Sequence, residues 1–212
     1  MKPPRRTAKA EETSKKRLNQ IYVAAAQLFC DKGFDATSMS DIAAAVGLTK
    51  AGVYHFISGG KQDLLFAVMN YGMDRLEAQV IAPAQGIADA EQRLRTIIAR
   101  HALLIAGGSG RDGHSPVTIV VDEIAGLTPA QMRQINERKR AYVDLLRATL
   151  QTLQEEDKLM EVDVTVAAFS LLGMLLWLSR WFRPAGRLTS EQVAVEISKI
   201  ALGGLLCAPA RR

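Results

Sequence analysis

Residues 37–65, TSMSDIAAAVGLTKAGVYHFISGGKQDLL, hold two short helical stretches on either side of a glycine, followed by the start of a third. Thr37 or Ser38 can cap the first, and Asp41, three residues after Ser38, suits the positive end of its dipole. Met39, Ile42, Ala43 and Val46 recur at helical spacing and make one apolar face. Gly47 supplies the backbone freedom a helix end needs, and Thr49 stands where a cap is wanted for the next helix, Lys50 to about His55. A short helix, a glycine turn and a second short helix form a helix-turn-helix, a device for setting a helix into a DNA groove.

Agreement with a known family extends on both sides of this stretch. Arg17, Ile21, Ala24, Ala25, Leu28, Phe29, Gly33 and Phe34 precede it in order, and Thr37, Ser38, Ile42, Ala43 and Gly47 continue it. Thr49, Lys50, Gly52, Val53, Tyr54, Lys61, Leu64 and Leu65 complete it. In this order and spacing the segment resembles the DNA-binding domain of TetR-family transcriptional regulators. One departure lies in the loop: aligned on Tyr54, Phe56 takes the usual His or Tyr place and Ile57 the usual Phe place. The loop through Ser58, Gly59 and Gly60 gains one residue before Lys61. More loosely, Asp122–Leu127, Arg138–Tyr142 and Trp181–Thr189 resemble a branch of that family whose C-terminal domain dimerises and binds a ligand.

Composition agrees. The chain of 212 residues carries a net charge of +5 and is 48% hydrophobic, enough for a sizeable core. Residues 1–17 hold Lys2, Arg5, Arg6, Lys9, Lys15, Lys16 and Arg17 against Glu11 and Glu12, which accounts for the whole excess. A solvated tail is the bland account; beside a helix-turn-helix, contact with DNA phosphates is the better one. Cys30 and Cys207 are too far apart in sequence to suggest a metal motif or a disulfide framework, and no apolar leader opens the chain, so a cytoplasmic location is expected. The most apolar run, residues 164–179, falls short of the roughly 20 residues needed to span a bilayer. A wholly buried helix explains it more simply, and no membrane partner is expected.

Every strong periodic segment is helical, so the expected fold is all-α: an N-terminal three-helix DNA-binding domain with a helix-turn-helix, and a C-terminal helical ligand-binding and dimerisation domain. The divisions expected are a flexible basic arm over 1–13, the DNA-binding domain over 14–60 and the C-terminal domain over 61–207. Leu18, Ile21, Tyr22, Ala25, Leu28 and Phe29 define the core face of a first helix ending near Gly33. A helix from Lys61 to Val80 should stop at Pro83, another should run from Asp89 to Ala106 until the glycines at 107, 108 and 110, and a short one from Pro116 to Ala125. Thr128 and Pro129 begin a long helix to about Glu156, Asp163 caps one to about Phe182, and Ser190 caps the last, to about Leu205. Val193, Ile197, Ile200, Ala201 and Gly204 share a face of that last helix. The two C-terminal helices carry more apolar surface than one subunit covers, which predicts a homodimer with Leu175 and Ile197 in the contact and Trp181 at its edge.

Several residues are candidates for DNA contact. Lys50 can donate to guanine edges or phosphate, His55 lies on a similar side, and Gly52 lets backbone approach a base or sugar. Thr37 and Ser38 lie at a helix start where free N–H groups suit an anion, alongside their capping role. The resemblance implies a phosphate contact for Tyr54 and adds Arg17, Thr49 and Lys61 to the set. A double-stranded operator is the expected partner, together with a small hydrophobic or acyl-type effector that releases a repressor from it. Helical bundles build cavities between helices, and Met69, Met73, His101, Leu104, Ile119, Glu123, Tyr142, Phe169, Met174 and Trp177 are candidate lining residues. The helix from Lys61 is the expected lever, through Met69 and Met73.

Other classes fare worse. His101, His114, Asp122, Glu123 and Glu161 could converge on a metal, but no dense ligand motif such as His-Glu-x-x-His appears, so no metal and no cofactor is expected. Residues 107–110 lack the Gly-Lys-Ser/Thr ending of a phosphate-binding loop, and no Ser or Cys stands in a nucleophile motif, so no catalysis is expected. A nonspecific DNA-packaging protein would not devote so much sequence to an apolar helical domain.

Overall fold

Two glycines in the left-handed region set the first corners of the chain, Gly33 at φ 83° and Gly47 at φ 63°. The structure, a computed structural model, describes residues 8–108, 116–122 and 126–207. Helix α1, Ala8–Lys32, ends at Gly33; it begins well before the expected boundary at residue 13, with Glu11 in its first turn. Ser38 caps α2, Met39–Ala45, in a reciprocal box with Asp41. Gly47 closes α2 as the N–H groups of Gly47 and Leu48 reach back to Ala44 and Ala43. Thr49 caps α3, Lys50–Phe56. Ile21, Phe29, Ile42, Val53 and Leu64 are fully or almost fully buried and weld these helices into one core. The shifted apolar anchor in the lengthened loop, Ile57, is buried too.

Pro83 does not stop the next helix. Helix α4, Lys61–Leu76, passes into a π-helical turn, Glu77–Ile81, and on into α5, Ala82–Gln85. The N–H of Ala82 reaches back five residues to Glu77, and Pro83 has no N–H for the carbonyl of Gln79. Arg100, on the following helix, donates to that carbonyl at 3.3 Å, so the group stays satisfied.

The sensor half consists of α6, Ala90–Gly108, α7, Pro116–Asp122, α8, Pro129–Glu155, α9, Val164–Trp181, and α10, Ser190–Gly203. Helix α6 is its hub, packing against α8, α9 and α10, while α7 lies against α1 and α4. The cap of α10 is Thr189, one residue before the expected Ser190, because Gln192 then stands where its side chain can return to the Thr189 N–H. Among the described residues there is no strand, only an isolated bridge between Leu159 and Leu206.

Helix α9 is not wholly buried. Leu171, Leu175 and Leu178 face the chain's own core, whereas Val166, Phe169, Trp177 and Trp181 are half exposed or more. On α10 the expected face splits the same way: Val193 and Ala201 are buried and Ile197 half-buried, while Ile200 points outward, as does Val195 beside it. Leu175, 1% exposed, therefore belongs to the subunit's own core and not to a contact surface.

Gly72 fixes the spacing of α4 and α7. A Cβ there would stand 2.2 Å from the carbonyl oxygen of Pro116, a backbone atom that cannot rotate away. Gly72→Ala should therefore lower the unfolding free energy by about 1–3 kcal/mol. Gly107→Ala, where a Cβ meets nothing within 4 Å, should stay within about 1 kcal/mol of the parent. Urea denaturation at one fixed protein concentration reads both.

Candidate DNA-binding and effector sites

Helix α3 is anchored by Val53, which is fully buried, and turns Lys50, Tyr54 and His55 to solvent. Lys50 and Tyr54 are one turn apart on the same face, with His55 beside Tyr54. Gly52 is half-buried; a Cβ would come to 3.3 Å from Thr49 Oγ1, so its small size also serves the cap. A cleft lined by Lys16, Arg17, Gln20, His55 and Phe56 runs between the N-terminal turns of α1 and the end of α3. Arg17 donates to Gln20 at 2.9 Å, on the side of α1 that faces this cleft.

Four expected contacts are occupied within the fold, Thr49 among them, since its hydroxyl oxygen accepts from the Gly52 N–H at 3.0 Å. Thr37 is 1% exposed, and its hydroxyl donates to the carbonyls of Gly33 and Leu28, so it ties α1 to α2 rather than meeting a phosphate. Ser38 is exposed, but its hydroxyl is engaged with Asp41 at 2.7 Å. Those bonds from Ser38 hold the Asp41 carboxyl below the usual carboxylate range. Lys61 Nζ donates to the carbonyls of Phe34 and Asp35 at 2.7 and 3.1 Å and sits 4.4 Å from the centre of the Phe34 ring. The added loop residue accompanies a lysine that fastens the corner after α1.

The sensor half holds a partly open cavity of about 480 Å³. Met73 and Leu76 of α4, Val117 of α7 and Val143 of α8 supply part of its wall. Phe169, Leu172, Gly173 and Leu176 of α9 supply another. His101 and Tyr142 also line it, and Lys139 and Arg140 complete the lining. His101 Nδ1 lies 2.9 Å from the Tyr142 hydroxyl, with the rings edge to face. Among the described residues His101 Nε2 has no hydrogen-bond partner, although the side chain is 2% exposed. Burial pushes the His101 pKa down to about 4 and the Tyr142 hydroxyl upward.

Of the expected lining residues, Met73, His101, Tyr142 and Phe169 come together here. Met69, Leu104 and Ile119 are buried in the packed core instead, Met174 is only partly buried and packs against that core, and Trp177 is 64% exposed on the outer face of α9. Glu123, like His114, lies outside the described residues.

Polar ties join the two halves. Gln62 donates to the carbonyl of Gly126, Gln131 to Asp63, and Arg138 to Asn70 and Asp74. A helix-turn-helix fastened to a helical domain with an apolar cavity is the architecture of a ligand-sensing DNA-binding protein. Family comparison agrees: residues 21–68 match the family described as "Bacterial regulatory proteins, tetR family", and residues 88–205 match "Tetracyclin repressor-like, C-terminal domain". The chain belongs to the TetR family.

Among similar proteins, AibR has been solved in complex with isovaleryl coenzyme A and operator DNA. It is 43% identical, with 87% of this chain and 97% of that chain covered and a TM-score of 0.74. PfmR from Thermus thermophilus is 31% identical over 87% of this chain and 97% of its own, with a TM-score of 0.71. The HTH-type transcriptional repressor KstR2 of Rhodococcus jostii is 27% identical over 92% of this chain and 95% of its own. Like these relatives, this TetR-family chain is a DNA-binding transcriptional regulator.

Leu76, Val117, Lys139, Arg140 and Gly173 are cavity residues that sequence reasoning missed. Gly173 could have been found, since it follows Phe169 by one helical turn inside an otherwise bulky apolar run. Lys139 and Arg140 sit in a charged run that reads as an ordinary solvated face.

His101 makes stability depend on pH. Its folded pKa of about 4 lies below the ordinary 6.5, so between these values the unfolded chain takes up a proton that the folded chain refuses. Stability from this group is complete above pH 6.5 and falls as pH drops toward 4, by about 3 kcal/mol, with no further loss below. His101→Gln should flatten that part of the profile, read as the difference between variant and parent in urea melts at several pH values.

Proposed function

We propose that this chain is a homodimeric repressor that binds a near-palindromic operator through α3 and leaves it when an acyl-type effector fills the cavity between α4, α6, α7, α8 and α9. The observation that carries the proposal is the position of the cavity: Met73 and Leu76 of its wall belong to the same helix whose first turn packs under the DNA-binding core. The likeness to AibR supports an acyl-coenzyme A as effector class. Action on a chromosomal operator fits a cytoplasmic location.

In the DNA complex, Lys50, Tyr54 and His55 face the major groove, and Arg17 with the basic start of α1 lies along the adjoining backbone. The second copy docks on the outward apolar residues of α9 and α10, with Trp177 and Ile200 central and Trp181 nearer the edge. Two-fold pairing sets the recognition helices about 34–36 Å apart or at a related spacing. An effector that lowers operator affinity a thousandfold must prefer the released form by about 4 kcal/mol.

Operator titrations with and without a bound acyl-coenzyme A test the proposal, and equal affinities would end it. Lys50→Ala should weaken binding and relax base preference by about 1–3 kcal/mol of discrimination, while Tyr54→Phe should weaken all sequences alike. Fluorescence anisotropy on operator and scrambled DNA separates the two.

Ile200→Asp should give a folded monomer in light scattering, because Ile200 is 62% exposed in the single subunit. Leu175→Asp should misfold instead. A wild-type monomer at micromolar concentration would overturn the pairing.

A further inference from the structure

The cavity holds one polar group that the fold leaves unanswered. His101 Nε2 is buried and has no partner among the described residues, which costs free energy in a protein interior unless something else satisfies it. Its proton state follows from its neighbour. Tyr142 is buried, and its hydroxyl meets His101 Nδ1 at 2.9 Å. An imidazole nitrogen is a better acceptor than a phenol oxygen, which favours the phenol as donor to Nδ1; in the neutral ring that arrangement puts the proton on Nε2. His101 is one of the lining residues, and in this tautomer it carries a single uncharged N–H, on Nε2, which lies just beneath the apolar wall rather than open to solvent.

This donor selects among ligands. A carboxylate placed against a neutral imidazole in an apolar cavity would lose its hydration for one hydrogen bond, whereas a thioester, ester or ketone carbonyl needs only that bond. The remaining polar side chains of the lining, Lys139 and Arg140, are cations at consecutive positions of α8; Arg140 is exposed and Lys139 half-buried. A ligand matched to this layout has an apolar tail, one buried neutral carbonyl and an anionic group near solvent.

Resting on the acyl-effector proposal above, we infer that His101 Nε2 donates to the carbonyl oxygen of an acyl thioester, that Tyr142 fixes the ring tautomer, and that Lys139 and Arg140 meet the phosphates of the carrier. The acyl chain then lies against Met73, Leu76 and Phe169. Burial also pulls the Lys139 pKa down, so an anion at that position would relieve a poorly solvated ammonium.

The test uses the full chain and isothermal titration with butanoyl-, isovaleryl-, octanoyl- and lauroyl-coenzyme A. The tightest thioester is then compared with its own S-alkyl-coenzyme A thioether, identical except for the missing carbonyl. Wild type should bind the thioester about tenfold tighter than the thioether. In His101→Phe the two should bind alike, at the wild-type thioether level, and Tyr142→Phe should narrow the gap. Lys139→Ala/Arg140→Ala should weaken both coenzyme A ligands and leave the acyl-pantetheine, which lacks phosphates, unchanged.

Equal binding of thioester and thioether by wild type would overturn the carbonyl donor while leaving an acyl effector in place; that comparison needs no variant and survives any folding failure. Unchanged coenzyme A affinity in the double variant would overturn the phosphate contact. Binding of none of the four thioesters would defeat the acyl-effector proposal and this inference with it.

Discussion

The contact of the Gly72 backbone with the carbonyl of Pro116 is the constraint on which the rest of the molecule depends. Side chains at a helix crossing usually leave some play, because they can change rotamer as the helices shift. Here there is no side chain on α4 to yield, and the backbone of α7 lies where a methyl group would be. The two helices therefore meet backbone to backbone, with no side chain between them to take up a shift. Helix α4 in turn carries Leu64 and Leu65, both fully buried, in the core of the DNA-binding unit. A second close approach reinforces the first: a Cβ at Gly126 would strike the Phe34 ring and Leu65. Glycine thus sits at both close approaches, one between α4 and α7 and one where the segment before α8 meets the DNA-binding core.

Much of this plan is legible from residue patterns, and the successes share a physical basis. Ser38, Thr49, Thr128 and Asp163 each accept a hydrogen bond from the helix they precede, so local chemistry fixes those boundaries without the rest of the fold. Pro83 misleads because a proline's local rule was overridden from a distance, by a π turn and by Arg100. Thr37 and Lys61 mislead for a related reason. Each has the right chemistry for a phosphate, yet each is spent on carbonyls at the corner after α1, and a carbonyl's need is invisible until the corner is built.

The cavity was legible only in part. Periodicity separates the inside of a helix from its outside, but it cannot separate packed core from the wall of a hollow, since both want the same apolar residues. Met69 and Met73 illustrate the limit: one turn apart on α4 and both buried, they end in core and in cavity wall. His101 was the better clue, because a histidine within an apolar helix face must either find partners for both nitrogens or keep one for a ligand.

Coupling needs a ligand that interacts differently with the two states, and the cavity's composition supplies the means. Its wall is drawn from α4 through Met73 and Leu76, from α7 through Val117, and from the outward-facing helix α9 through Phe169 and Gly173. Phe169 is also 56% exposed on the stripe that continues to Trp177 and Trp181. A ligand seated there would touch the element that carries the recognition helix, the element that presses on it, and the surface offered to a second copy. Because interiors are close-packed, a new occupant cannot be accommodated by one wall alone without strain on the others. Under the proposed function, a concerted shift of α4, α7 and α9 would relieve the strain, and such a shift would change the spacing between two recognition helices in a pair. A ligand carbonyl that met the unpaired Nε2 of His101 would add to the same bias by removing the cost of leaving that group unanswered.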